Sequence, residues 1–277
     1  MSRYNLFLRA SNVVAFILVI IVNSVVHVNY SKKPDEPVNN STRIACNWTV
    51  PETHLLPADY TFGIWGLIYG LLFGFVIYQW FEAAETATVE GIKFYYVIAS
   101  VLNISWLLIW SNKNHLGVII DSFVLAALCA ITFKAYDNVT TFYPPKNLAD
   151  RLFIHYPFTI YAAWALVATV LNFWVAFSFL DTVFLSTFAV ICLGFVGHSF
   201  VDYHKRHDVV FAATIAWALV GIAVRQQDTL AILIASSVSS GLILGGILRV
   251  WVNQGRAWLE LRRNRLRGID ETDPLIP

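Results

Sequence analysis

Two sets of side chains have the types and the spacing of a small-molecule site. Asn103, Trp106 and Trp110 stand three and seven residues apart, and Trp164, Ala168 and Asn172 stand four and eight apart. On a helix those intervals return to one face, so each set offers an indole beside a carboxamide. A flat apolar molecule could stack on the indoles and be oriented by the amides, because ligand pockets combine apolar, aromatic walls with a few polar anchors. The same residues also fit plain packing, with the amides bonding neighbouring helices and the indoles filling a core.

Asp121 and His155 raise a different chemistry. Both lie in apolar runs, where ionisable groups point to a proton or ion step. Asp121 is only two turns from the end of its run, where a structural role also fits. The stretch His198, Asp202, His204, His207, Asp208 has metal-ligand residue types. It lacks cysteine and a His-Glu-x-x-His pattern, so it reads as a connection between apolar segments and no metal is expected. The chain has no nucleophile elbow, Walker loop, dinucleotide-binding glycine pattern or zinc signature. It is therefore expected to be no enzyme and to need no cofactor.

The elements that must hold these residues are set by composition. The 277 residues are 57% hydrophobic and 13% charged, whereas soluble domains carry about 25% charged residues. A net charge of +1 gives no global field to recruit nucleic acid. Three cysteines, Cys46, Cys129 and Cys192, make no disulfide scaffold. Eight apolar windows occur, at 10–29, 60–81, 94–111, 115–133, 153–178, 182–201, 209–224 and 229–248. Those lengths suit membrane-crossing helices, the seventh being the shortest. None alternates with a period of two, which argues against a membrane barrel. The expected fold is all-α, a polytopic helical bundle of about eight transmembrane helices. The first window has no small-residue cleavage site after it and reads as a retained span.

With both termini cytosolic, all Lys and Arg except Lys32, Lys33, Arg43, Lys113 and Arg225 fall on the cytosolic side, as the positive-inside rule requires. The loop 30–59 then lies in the lumen or outside, where it reads as a partly ordered lid. Its Asn39, Asn40 and Asn47 match the glycosylation acceptor pattern.

The stretch Pro57-Ala58-Asp59-Tyr60-Thr61-Phe62-Gly63-Ile64-Trp65-Gly66-Leu67-Ile68-Tyr69-Gly70 resembles the signature of the tryptophan-rich sensory protein and translocator protein (TspO) family. Leu102-Asn103 with Trp106, Gly117 with Asp121, and Trp164, Ala168, Leu171 and Asn172 follow in that family's order. The resemblance covers roughly residues 10–180, a five-helix bundle, with 181–251 as a three-helix extension and 1–9 and 252–277 as cytosolic ends. It implies a pocket that opens to one membrane face and accepts flat lipophilic molecules such as sterols or tetrapyrroles. Together with the aligned faces it assigns ligand binding to Trp65, Tyr69, Asn103, Trp106, Trp164 and Asn172.

Two other classes stay open. One is a proton-coupled ion or solute channel or exchanger of an acidic organelle, using Asp121, His155 and the extension. The other is a membrane scaffold or trafficking protein, whose small-residue faces at Gly66, Gly70, Gly74 and at Ser237, Gly241, Gly245 bind other helices or a second copy. The tail from Arg256 to Arg267 is basic and partly apolar, as expected of a segment on an anionic leaflet. The terminal Glu271, Leu275 and Ile276 form an acidic dileucine-like signal for sorting adaptors, consistent with an endosomal, lysosomal or plasma membrane.

Overall fold

The computed structural model of the protein describes residues 2–31, 51–111, 114–202 and 207–271, and the side chains of 27–31 and 266–271 are not among those described. The acceptor sites Asn39, Asn40 and Asn47 and the terminal Leu275 and Ile276 lie outside the described residues. The described part is helical, without strands. In hydrocarbon a helix satisfies every internal backbone group by itself, and each of the eight apolar windows holds one: α1 (Arg3–Ser31), α2 (Ile64–Tyr78), α3 (Tyr95–Ser111), α4 (His115–Phe142), α6 (Tyr156–Ala176), α7 (Val183–Asp202), α8 (Val209–Arg225) and α9 (Leu230–Glu271), with the single turn α5 (Leu148–Asp150) between α4 and α6.

Among the described residues, six helices are long and apolar enough to cross a membrane. Glu82–Ile92 and α3 are long and apolar enough only when taken together, and they are bent by 65° at their junction. The bend falls where a π-helical turn, Ala87–Ile92, ends on Lys93 at φ 52°. The seventh and shortest window is α8, an apolar helix of 17 residues, which falls just short of a full hydrophobic thickness at 1.5 Å per residue.

α1, α2, α6, α4 and α3 form a closed ring in which each packs on the next. α7, α8 and α9 pack on one another, and the group joins the ring through α8 against α6. α4 and α6 run antiparallel in a register fixed by Thr169 Oγ1 donating to the Leu125 carbonyl at 3.1 Å and Asn172 Nδ2 donating to Ser122 Oγ at 3.3 Å. At the end where α1 begins, Asn12 Nδ2 donates to Gln79 Oε1 at 2.9 Å, Asn5 Nδ2 to Glu85 Oε1 at 2.7 Å, and Tyr78 Oη to Asp150 Oδ1 at 2.7 Å. The segment 51–63 covers the opposite face of the bundle.

Close helix approach uses other glycines than the spacing suggested. A Cβ on Gly66, Gly70, Gly241 or Gly245 would meet nothing within 4 Å, so both small-residue faces point outward apart from Gly74, which packs on Phe153. The tight contacts are at Gly194 against Ser239 and at Gly197, whose added Cβ would lie 2.5 Å from Ile243 Cδ1 and 3.1 Å from Ile215 Cγ2. Gly197→Leu is therefore expected to cost about 1–3 kcal/mol, the usual penalty of overpacking. Thermal unfolding in detergent followed by circular dichroism checks this, with Gly241→Leu as the variant expected to leave the midpoint in place.

α9 carries 42 residues, about 63 Å at 1.5 Å per residue and twice the thickness of a bilayer core of about 30 Å. The basic tail is thus a continuation of the last membrane helix, with residues 251–265 all exposed and Arg262 stacked over Trp258 at 5.6 Å.

Candidate functional site

Inside the five-helix ring, at the end covered by residues 51–63, lies a cavity of about 590 Å³. Its walls come from α1 (Asn23, Val26), α2 (Trp65), α3 (Trp106, Leu107, Trp110), α4 (Leu125) and α6 (Trp164, Ala168, Leu171, Asn172, Val175), and its roof from Thr53, Leu56 and Phe62. The volume falls in the range of small-molecule sites, and the lining has their composition.

The α3 and α6 faces picked out by spacing do converge, and Trp65 lies between them. Its ring stacks on Trp106 at 5.7 Å and 23° and meets Trp164 edge-on at 6.4 Å and 89°. Tyr69 stacks on the other flank of Trp65 at 5.6 Å, and Tyr161 meets it edge-on at 5.9 Å. Phe62 from the roof completes the cage, edge-on to Trp164 at 5.9 Å. Quadrupoles favour such offset-stacked and T-shaped pairs, so the rings of the cage hold one another in place.

The polar groups divide into satisfied and unsatisfied ones. Asn172 is held by Ser122, and Tyr69 Oη donates to Asn23 Oδ1 at 3.3 Å and Asn103 Oδ1 at 3.4 Å. By contrast, Asn103 Nδ2, Trp106 Nε1 and Trp164 Nε1 are buried donors with no hydrogen-bond partner. Buried donors are nearly always paired, so each orphan calls for an explanation.

Of the six residues assigned to ligand binding, Trp65, Trp106, Trp164 and Asn172 line the cavity, while Tyr69 and Asn103 form the layer behind it. Trp110 lines the cavity as well. It shares a face with Asn103 and Trp106, and that was the signal. Trp217, in the middle of α8, is 40% exposed and lies outside the cavity lining. Asn23, Thr53 and Leu56 had no sequence signal, because their place depends on how α1 and the roof fold back over the ring.

Asp121 and His155 are not brought together. With Leu125 beside Thr169 and Ser122 beside Asn172, antiparallel register puts Asp121 and His155 about 18 residues apart along the bundle, roughly 27 Å at 1.5 Å per residue. Asp121 is fully buried and neither carboxyl oxygen has a partner. The histidine- and aspartate-bearing connection is used structurally. Asp202 forms a two-pronged pair with Arg249 at 2.6 and 2.7 Å, and Asp208 accepts from Tyr136 Oη at 2.7 Å and caps α8 at Phe211 N. Among the described residues, no group of three or more His, Cys, Asp or Glu is placed to hold a metal ion.

Fold and cavity together define a multi-pass, all-helical membrane protein with an aromatic cavity in its first five crossings. The chain matches the family model described as TSPO-like protein over residues 9–249, and it belongs to that family. The match runs past residue 180 and through α7, α8 and the first half of α9, so these helices fall within the family's model. No curated protein and no solved structure matches the chain.

Proposed function

We propose that the protein binds a lipophilic small molecule of the sterol or tetrapyrrole type in this cavity and carries or presents it within an endomembrane. Trp65, Trp106, Trp164 and Asn172 hold the ligand, and Tyr69 and Asn103 support them from behind. The observation that carries this reading is the pair of unpartnered indole donors, Trp106 Nε1 and Trp164 Nε1, on cavity-lining residues. A flat ligand would stack on the rings of the cage, and a shift of those rings on binding would bring the two buried donors onto its acceptor oxygens. Both termini face the cytosol on this reading, supported by the even number of apolar windows and the clustering of Lys and Arg. The tail then meets anionic lipid, and its end, Glu271 with Leu275 and Ile276, meets sorting adaptors of the endosomal and lysosomal route.

Titration of intrinsic tryptophan fluorescence with protoporphyrin IX, with cholesterol and with a phospholipid control tests the reading. Saturable quenching by one of the first two is expected, with dissociation constants raised about tenfold in Trp164→Phe and in Asn172→Leu, the effect of one lost hydrogen bond. Flat titrations with both compounds would sink it. A second reading, a proton-coupled pathway, is favoured by one observation, the buried unpartnered carboxyl of Asp121.

A further inference from the structure

The roof of the cavity is held by the wrong half of the molecule. Thr53, Leu56 and Phe62 close a space enclosed by the five-helix ring. Yet among the described residues, every hydrogen bond and ion pair that ties 51–63 to the rest of the bundle ends on residues 181–226. Gln226 Nε2 donates to the carbonyls of Thr53 and Leu56, both at 3.1 Å. Ala58 N donates to the Gly221 carbonyl at 2.9 Å. Trp217 Nε1 donates to the Thr61 carbonyl at 3.0 Å, and its ring meets Tyr60 edge-on at 5.3 Å. His54 N and Nδ1 lie 2.9 and 3.0 Å from Asp181 Oδ1. Arg225 reaches Glu52 at 3.2 Å and Asp59 at 3.6 Å, but those carboxylates are exposed and such pairs add little.

Two features show that the attachment is close-fitting rather than incidental. Gly221 has no room for a side chain, since a Cβ there would overlap the buried Thr61 side chain. Leu55, at the centre of the roof, is completely buried. A turn of irregular backbone has no ladder of its own, so its stability is that of its anchors. Here the anchors sit on α8, on the turn after it, and on the connection between α6 and α7.

We propose that the α8 end, through Trp217, Gly221 and Gln226, is a latch that positions the roof, and that the three-helix group thereby sets how fast ligand enters and leaves the cavity. The inference deepens the binding reading and rests on it for its second half. Gln226 and Trp217 are positioning residues, since neither lines the cavity.

The test uses the full-length protein in detergent or nanodiscs, with Gln226→Leu and Trp217→Phe. Hydrogen exchange of the roof amides, Leu56, Ala58 and Thr61, is expected to speed up about tenfold in each variant, the weight of one or two lost hydrogen bonds, while α4 exchanges as in the wild type. Dissociation of bound protoporphyrin IX or cholesterol is expected to accelerate by a similar factor. Unchanged roof exchange in both variants would overturn the latch. Faster roof exchange with unchanged ligand dissociation would overturn its role in exchange. Should Gln226→Leu fail to fold, Trp217→Phe decides, because that ring is partly exposed and its replacement keeps the aromatic body. Should the wild type bind neither probe, the binding reading and the gating role built on it fall together, and roof exchange alone decides whether α8 holds the roof.

Discussion

Trp164→Ala is expected to abolish saturable quenching and to destabilise the bundle by about 3 kcal/mol, the low end of the range for large aromatic truncations. Trp164 is fully buried and touches both the roof, through Phe62, and the centre of the cage, through Trp65. The low end applies because lipid tails are as apolar as the protein interior, so no transfer from water adds to the lost contacts. What remains is the void and the forfeited dispersion. The midpoint of thermal unfolding in detergent measures the first part and fluorescence titration the second. Trp164→Phe helps to separate them, since it keeps an aromatic ring in the cage while removing the N–H group together with the pyrrole part of the indole, and so costs less packing than alanine. A Trp164→Ala protein that binds as the wild type does would place the ligand elsewhere.

Asp121→Asn is expected to raise stability by on the order of 1 kcal/mol, because the carboxylate of the unfolded chain must give up its charge to enter this site whereas the amide is neutral in both states. The sign follows from the site. The residue is completely buried, neither oxygen finds a donor, and a charged form at that depth has no counter-ion to offset its desolvation. Asparagine keeps the shape and removes the ionisation. A higher unfolding midpoint with unchanged ligand titrations fits a group with no part in binding. A proton-dependent current in proteoliposomes that disappears in Asp121→Asn would instead support the channel or exchanger reading. That reading needs a partner for Asp121 other than His155, which lies at the far end of the bundle.

The extension changes what the cavity means. Considered alone, the five-helix ring is an open-ended cage of indoles. With α8 in place, the chain from Pro51 to Gly63 is fastened across its mouth, and Phe62 is pressed onto Trp164. A family match that continues to residue 249 is consistent with this dependence, because the five-helix ring and the last three helices share one piece of structure, the roof.

The sequence by itself determined the helices and their faces. Apolar windows placed one helix each at α1 to α4 and α6 to α9, because in hydrocarbon the backbone has no other internally satisfied form along a single segment, although α1 begins well before its window and α4 and α9 run well past theirs. Periodicity put Trp106 with Trp110 and Trp164 with Asn172, because a side chain's direction on a helix follows from its number alone. Those are local properties. The tertiary structure decided the rest: that Trp65 stands between the two faces, that Asn103 and Tyr69 sit behind the cavity, that Trp217 faces outward to hold Thr61, and that Gly197 and Gly221 rather than Gly241 and Gly245 make the close approaches. Each depends on which helix lies beside which. Among apolar helices in lipid that choice is made by shape, by small residues and by a few hydrogen bonds between residues such as Thr53 and Gln226, 173 positions apart in the chain.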